Sequence, residues 1–218
     1  MPQVRANTSV IVTAQDINIP IFSQLWLTRN ALLREDEVGP ESIFTPGVVR
    51  VGGPRFELTV LPDRLQLRFE NFANAQADID RVLGGIVKIL PHTPYTAVGM
   101  NFDWLIAPGS PPDFVGWNAK RFRAPCAPDA EEHRFGSYFS FPVNGMRARV
   151  DCRPVRIKSE IPVVLEQFKA DQEVMAINVN FQYDVPAETG IERMLEKLSN
   201  WNDLSAISDR IATGLLEQ

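Results

Sequence analysis

The sequence predicts an α+β fold in which antiparallel sheets carry helices packed on one face. Three consecutive patterns within residues 55–104 lead to this prediction. Two segments with alternating apolar and polar side chains flank Pro62-Asp63, an arrangement typical of a β-hairpin. Apolar residues then recur at helical spacing over 79–90, and alternation returns over 96–104. A hairpin with one apolar face, a helix with one apolar stripe and a further strand can enclose a single core.

The rest of the chain shows the same two periodicities, with turn residues between the segments. Asn144-Gly145 is the strongest hairpin signal, because this dipeptide readily adopts the positive φ angles of a two-residue turn. The acidic run at 35–37 is predicted to be a solvated loop. Gly84-Gly85 lies inside the helix predicted over 79–90, and this pair predicts the close approach of another structural element. The further predicted elements are, in order, a strand at 9–14, a helix at 20–33, an extended segment at 48–51, hairpin strands at 134–143 and 146–157, a strand at 174–184 and two helices after Gly190.

A proline-rich segment at 107–112 separates two halves of similar layout. Its composition, Ala-Pro-Gly-Ser-Pro-Pro, is typical of a linker. Each half contains a hairpin, a later strand and an amphipathic helix, although in a different order. The sequence therefore predicts two similar lobes, an N-terminal α+β lobe at 1–107 and a C-terminal α+β lobe at 113–218. One continuous domain is the alternative.

Composition and charge argue against several classes of protein. The 218 residues are 44% hydrophobic and carry a formal net charge of -5, whereas nucleic-acid binders are usually basic. No apolar run approaches the roughly 18 residues that a membrane-spanning helix needs. The first residues also lack the apolar core of a signal peptide. We therefore predict a cytoplasmic protein that does not contact a membrane, and the acidic balance disfavours a nucleic acid as its partner.

The sequence lacks the motifs that mark catalytic and cofactor sites. It contains no Gly-x-Ser-x-Gly nucleophile motif and no glycine-rich phosphate-binding fingerprint. Cys126, His133 and Cys152 do not have the paired spacing of a zinc site. Cys152 alternates with apolar residues, which predicts a buried, unreactive thiol. We therefore expect no catalytic residue, no cofactor and no metal.

Three arginines form the most distinct polar pattern. Arg147, Arg149 and Arg153 fall on the same face of a predicted strand, together with Asp151. Guanidinium groups at this spacing can bind phosphate or carboxylate. We therefore expect these three residues, the arginine row, to bind a partner or an anion. The alternative is a solvated strand face whose charges form cross-strand ion pairs.

Four further polar side chains occupy the polar sides of two other predicted strands. Asn101 and Asp103 alternate with apolar residues in one strand, and Asn178 and Asn180 do so in the other. If the two lobes face each other, these side chains would line a cleft. Asp103 is then the best candidate for a buried or cleft acid.

Three alternating segments and the closing helices carry a resemblance. They are Gly-Pro-Arg-Phe-Glu-Leu at 53–58, Val-Gly-Met-Asn-Phe at 98–102 and Ala-Ile-Asn-Val-Asn-Phe at 176–181, followed by the helices after Gly190. In these features the chain resembles a sporadically distributed family of uncharacterised bacterial proteins. The resemblance implies an α+β bacterial protein and brings no catalytic residues.

Together, these observations predict a non-enzymatic protein-interaction or assembly module of a bacterial cytoplasm. The expected partner is another protein or a second copy of the chain, in contact with the arginine row or with a sheet edge. One alternative is an enzyme or small-ligand binder with a cleft between the lobes. A second alternative is nucleic-acid binding through the arginine row, which the acidic net charge disfavours.

Overall fold

The computed structural model describes residues 3–106, 136–157, 168, 172–186 and 190–214. The strands are β1 (Gln3–Ala14), β2 (Ile43–Phe44), β3 (Val49–Gly52), β4 (Phe56–Leu61), β5 (Arg64–Phe69), β6 (Tyr95–Ile106), β7 (Ser137–Val143), β8 (Met146–Arg156) and β9 (Glu173–Asp184). The helices are α1 (Gln24–Arg29), α2 (Ala75–Ile89), α3 (Gly190–Leu198) and α4 (Trp201–Gly214).

The strands form one antiparallel sheet in the order β2-β3-β4-β5-β1-β6-β9-β8-β7. Successive side chains of a strand point to opposite sides, so alternation defines two faces. In β4, for example, Phe56, Leu58 and Val60 are buried, while the residues between them are half-buried. Buried side chains from all four helices join these strand residues in one core cluster. The prediction of an α+β fold, with antiparallel strands and helices on one face, is confirmed.

The first helix is shorter than the periodicity over 20–33 predicts. Ser23 caps α1, because its hydroxyl oxygen accepts a hydrogen bond from the Trp26 N–H at 3.2 Å. Shortly after the end of α1, Ala31 adopts a left-handed φ of 55°, which a helix cannot accommodate. The chain then turns back on itself, and Leu32 is buried in the core. The apolar spacing beyond α1 therefore reflects core packing rather than helix.

β1 begins at Gln3, before the start at residue 9 that alternation predicts. A β-bulge interrupts the alternation in this first part of the strand. The register shifts between Arg5 and Asn7, and Arg5 lies opposite the buried Trp104. The Arg5 guanidinium lies 4.6 Å from the centre of the Trp104 ring and donates a hydrogen bond to Ser205 of α4 at 2.9 Å. A charged residue on the apolar face breaks the pattern, which is why alternation predicts only the second half of this strand.

The acidic run before β2 is not a solvated loop, and that prediction is wrong for Glu37. The run forms a 3₁₀ turn in which the Glu37 side chain is 3% exposed. Arg81 of α2 donates two hydrogen bonds to its carboxylate, both at 2.8 Å, and Arg34 pairs with it at 2.7 Å. Arg55 and Arg81 also pair with the buried carboxylate of Asp78. These five residues, the ion cluster, tie the turn to α2 and to the start of β4.

The predicted boundary between two lobes, at 107–112, lies outside the described residues. β6 from the N-terminal half and β9 from the C-terminal half pair along ten positions, from Ala97 opposite Asp184 to Ile106 opposite Met175. Strands from both halves therefore belong to the same sheet. The division into two lobes stays a prediction.

Candidate interaction surface

The side of the sheet that faces away from the described helices α1–α4, called the open face below, carries both sets of polar residues singled out in the sequence. Cross-strand register brings them together, because Asn101 lies opposite Asn180, which in turn lies opposite Arg149. Two positions further along the same pair of strands, Asp103 of β6 lies opposite Asn178 of β9. The two predicted sets therefore belong to one surface that spans β6, β9 and β8.

Side-chain amides surround Asp103 near the centre of the open face. Its two carboxylate oxygens accept hydrogen bonds from Asn7 at 3.1 Å and from Asn178 at 2.6 Å. In the neighbouring row, the Asn180 amide donates to the Asn101 side-chain oxygen at 2.7 Å. All five side chains, which we call the amide ladder, are half-buried. The four predicted cleft residues thus lie together on this face and bond to one another in pairs.

The arginine row lies beside the amide ladder on β8, with its residues exposed. Arg147 and Arg149 donate hydrogen bonds to neutral groups, a serine hydroxyl of β7 at 3.4 Å and the Gln182 side-chain oxygen at 2.7 Å. Among the described residues, no carboxylate lies at ion-pair distance from any member of the row. Cross-strand ion pairing occurs further along β8, between Arg156 and Glu173 at 3.4 Å. The charges of the arginine row are therefore not neutralised by acidic side chains within this part of the structure.

A small apolar cluster occupies the end of the open face beyond the amide ladder. At this end Val4 lies opposite Leu105, and Val155 lies opposite Val174. Alternation does not predict this cluster, because its strand residues lie on the side that carries the amide ladder and the arginine row. The cluster comprises Val4, Leu105, Val155, Ile157, Phe168 and Val174.

A separate groove of about 520 Å³ lies between the start of β6, the end of β9 and α3. None of the amide-ladder residues lines this groove. Among its described lining residues, Tyr95 is the one with an ionisable side chain, and burial raises the pKa of its phenol. The described lining therefore offers no carboxylate or imidazole for acid–base chemistry near neutral pH.

The residues considered for metal binding and nucleophilic chemistry do not form a site in the described part of the chain. Cys152 is 4% exposed, and burial, together with the charge of Asp151, raises the pKa of its thiol to about 11. No group of three histidine, cysteine, aspartate or glutamate side chains among the described residues is placed to hold a metal ion. Cys126 and His133 lie outside those residues.

Neither hydropathy nor comparison with other proteins adds a functional assignment. No helix in the described ranges has both the length and the apolar character required to cross a membrane. Comparison of the chain with protein-family models, curated proteins and solved structures finds no match. The function therefore has to be argued from the surfaces themselves.

Proposed function

We propose that this chain is a non-enzymatic protein-interaction module that binds an acidic protein partner through the open face of its sheet. One observation carries the proposal: the exposed arginine row has no carboxylate at ion-pair distance among the described residues. An unneutralised guanidinium binds carboxylates through directed, charge-assisted hydrogen bonds. The bacterial cytoplasmic setting predicted from the sequence is part of the same proposal.

The surroundings of the arginine row favour a protein over a nucleic acid. Asp151 lies on the same face of β8, Asp184 on the same face of the adjacent strand β9, and Asp103 on the same face of β6, the next strand beyond. These carboxylates would repel a continuous phosphate backbone, whereas a folded protein can place isolated acidic groups between them. The four asparagines of the amide ladder add neutral donors and acceptors, which suit peptide groups and polar side chains.

The geometry gives the enzyme and cleft alternative less support. Asp103 is engaged by two amides, and its neighbours are amides rather than a second acid or a base. The groove beside Tyr95 is lined by different residues. A general acid and base within reach of one substrate, which this chemistry requires, are not found together at either place among the described residues.

Affinity capture from the native cell, compared between two matched variants, tests this proposal. The first variant reverses the arginine row: Arg147→Glu, Arg149→Glu and Arg153→Glu. The control reverses three exposed residues on the helical side, Lys88→Glu, Arg193→Glu and Arg210→Glu, with the same change in net charge.

We expect wild type and the control to recover the same stoichiometric protein and the arginine-row variant to lose it. Equal recovery by both variants would contradict the proposed surface. Capture that is abolished by nuclease treatment and falls steeply with salt would instead support the nucleic-acid alternative.

A further inference from the structure

β7 forms one edge of the sheet among the described residues and carries no charged side chain to block the pairing of a further strand. The opposite edge strand, β2, has only two residues, whereas β7 has seven. Natural sheets commonly protect long edges with charged side chains. Residues 137–143 contain no charged side chain, and Tyr138 is 66% exposed. β7 therefore presents a neutral edge to which another strand can pair.

The hairpin turn determines which backbone groups face outward from β7. Asn144 and Gly145, with φ of 47° and 69°, form a two-residue turn flanked by Val143 and Met146. The flanking pair closes the turn by hydrogen bonding, and bonded and non-bonded pairs then alternate along an antiparallel ladder. Every second residue, starting from the one before Val143, therefore directs its backbone groups away from β8.

The outward-facing residues are Pro142, Ser140 and Tyr138. Proline has no N–H, so the free edge offers N–H donors at Ser140 and Tyr138 but not next to the turn. Proline in an edge strand with its nitrogen facing outward is a common arrangement. An added strand would thus pair with the first half of β7, which fixes its register.

Charge complementarity indicates what kind of strand fits this edge. Arg147 lies directly opposite Pro142, yet its guanidinium bonds to the Ser140 hydroxyl at 3.4 Å, so the side chain extends over β7. Arg149 turns the other way, towards Gln182 of β9. Strands lie about 4.8 Å apart, so a strand outside β7 would lie about 10 Å from β8. That distance is within the combined reach of an arginine and a glutamate side chain.

We propose that an extended acidic segment of a protein partner adds to the outer edge of β7 as a further strand. Its backbone pairs with Tyr138 and Ser140, and a carboxylate on its open-face side binds Arg147. This inference rests on the proposed function and names the part of the partner that binds. A second copy of the chain fits less well, because antiparallel pairing of two β7 strands would place both arginine rows on one face with no acidic side chain on either β7.

Fluorescence anisotropy with a labelled peptide that alternates glutamate with threonine tests the inference on the full chain. Ser140→Pro removes the outward N–H without removing a backbone hydrogen bond to β8, but it also removes the hydroxyl that accepts from Arg147. Ser140→Ala, which loses only that hydroxyl, and Ser140→Thr, which keeps both groups, are therefore the matched controls. We expect Ser140→Pro and Arg147→Glu to weaken binding by about tenfold or more, the loss expected for one or two strong hydrogen bonds. Ser140→Ala, Ser140→Thr and Arg193→Glu should bind as wild type does.

The outcomes separate this inference from the proposed function. If Ser140→Pro binds as tightly as wild type while reversal of the arginine row abolishes binding, the partner lies on the open face and the edge inference is wrong. If reversal of the arginine row has no effect, both are contradicted. No binding of the peptide by wild type at millimolar concentration would also overturn the inference. Self-association that Ser140→Pro removes would identify a second copy as the occupant.

Discussion

Glu37 shows how the ion cluster holds a charge inside the protein. Burial alone would raise the pKa of its carboxyl group. Hydrogen bonds from the Arg81 side chain and the Arg34 backbone N–H, together with the charges of both arginines, outweigh burial and hold the pKa below its usual value. The ionised form of Glu37 is therefore part of the folded structure.

Replacing Glu37 with glutamine should destabilise the protein by about 3 kcal/mol, at the lower end of the range for breaking a buried ion pair because the arginines are partly solvated. Urea unfolding at neutral pH measures the loss. Glu35→Gln is the matched control, since Glu35 is an exposed residue of the same turn. Its effect should stay within about 0.5 kcal/mol. Equal effects of the two substitutions would show that the ion cluster is not a stabilising feature.

The contribution of Glu37 should also depend on pH in a defined direction. Because its pKa is lowered on folding, the stabilisation is complete above the usual carboxyl pKa and is lost as the pH falls through the lowered value. The stability difference between wild type and Glu37→Gln should therefore shrink on acidification. A difference that grows towards acid pH would contradict the assigned role of Glu37.

Cys152 should be chemically inert while the protein is folded. With a thiol pKa of about 11, only about one molecule in a thousand carries the thiolate at pH 8, and the side chain is buried. Iodoacetamide labelling followed by peptide mass spectrometry should leave Cys152 unmodified in native protein and modify it in denaturant. Rapid labelling of the native thiol would contradict its placement on the core side of β8.

Among the elements, α2 depends on adjacent glycines that have different surroundings. A Cβ at Gly85 would overlap the Leu32 side chain, which is buried, whereas a Cβ at Gly84 would meet its neighbours at 3.7 Å, an ordinary contact distance. The close approach predicted from Gly84-Gly85 therefore occurs at Gly85. Gly84 leaves room for a larger residue.

This difference predicts different effects of two alanine substitutions on stability. Gly85→Ala should lower stability by about 1 kcal/mol or more, because core overpacking costs more than the improved helix propensity contributes. Gly84→Ala should be neutral or should raise stability by up to about 1 kcal/mol. Thermal unfolding of the two variants measures both effects. The reverse order would contradict the packing of Leu32 against α2.

The β7–β8 hairpin is attached to the helical layer by Lys197 of α3. Its ammonium group donates a hydrogen bond to the backbone oxygen of Asn144 at 3.1 Å and lies 5.5 Å from the centre of the Tyr183 ring. The turn is therefore held at its tip as well as along its ladder. A hairpin fixed in this way presents Arg147 and the β7 edge in a defined orientation, which lowers the entropic cost of binding.

Across the sheet, the sequence could predict the elements far better than the site. Alternation at period two identifies β4, β5, β6 and β9, because each has one face in a single core. It cannot tell which strands become neighbours, so the pairing of Asn101 with Asn180, formed by residues 79 apart in the chain, could not be predicted.

The residues that break the alternating pattern could not be predicted for the same reason, namely that their contacts are with residues distant in sequence. Arg5 and Glu37 are charged residues that fold inward because partners distant in sequence neutralise or surround them. No local pattern contains those partners. The edge position of β7 is also a property of the assembled sheet, and so is the absence of ion pairs around the arginine row among the described residues.

Photo-crosslinking in the native cell tests the proposed interaction surface directly, because the partner does not have to be identified beforehand. A benzoylphenylalanine replaces Tyr138 on the open face, or Leu25 on α1 as the matched control, two large side chains of comparable exposure at 66% and 57%. We expect the probe at position 138 to yield one discrete crosslinked protein that Arg147→Glu abolishes, and the probe at position 25 to yield none. Absence of a crosslink at position 138, or the same products from both positions, would contradict the proposed surface.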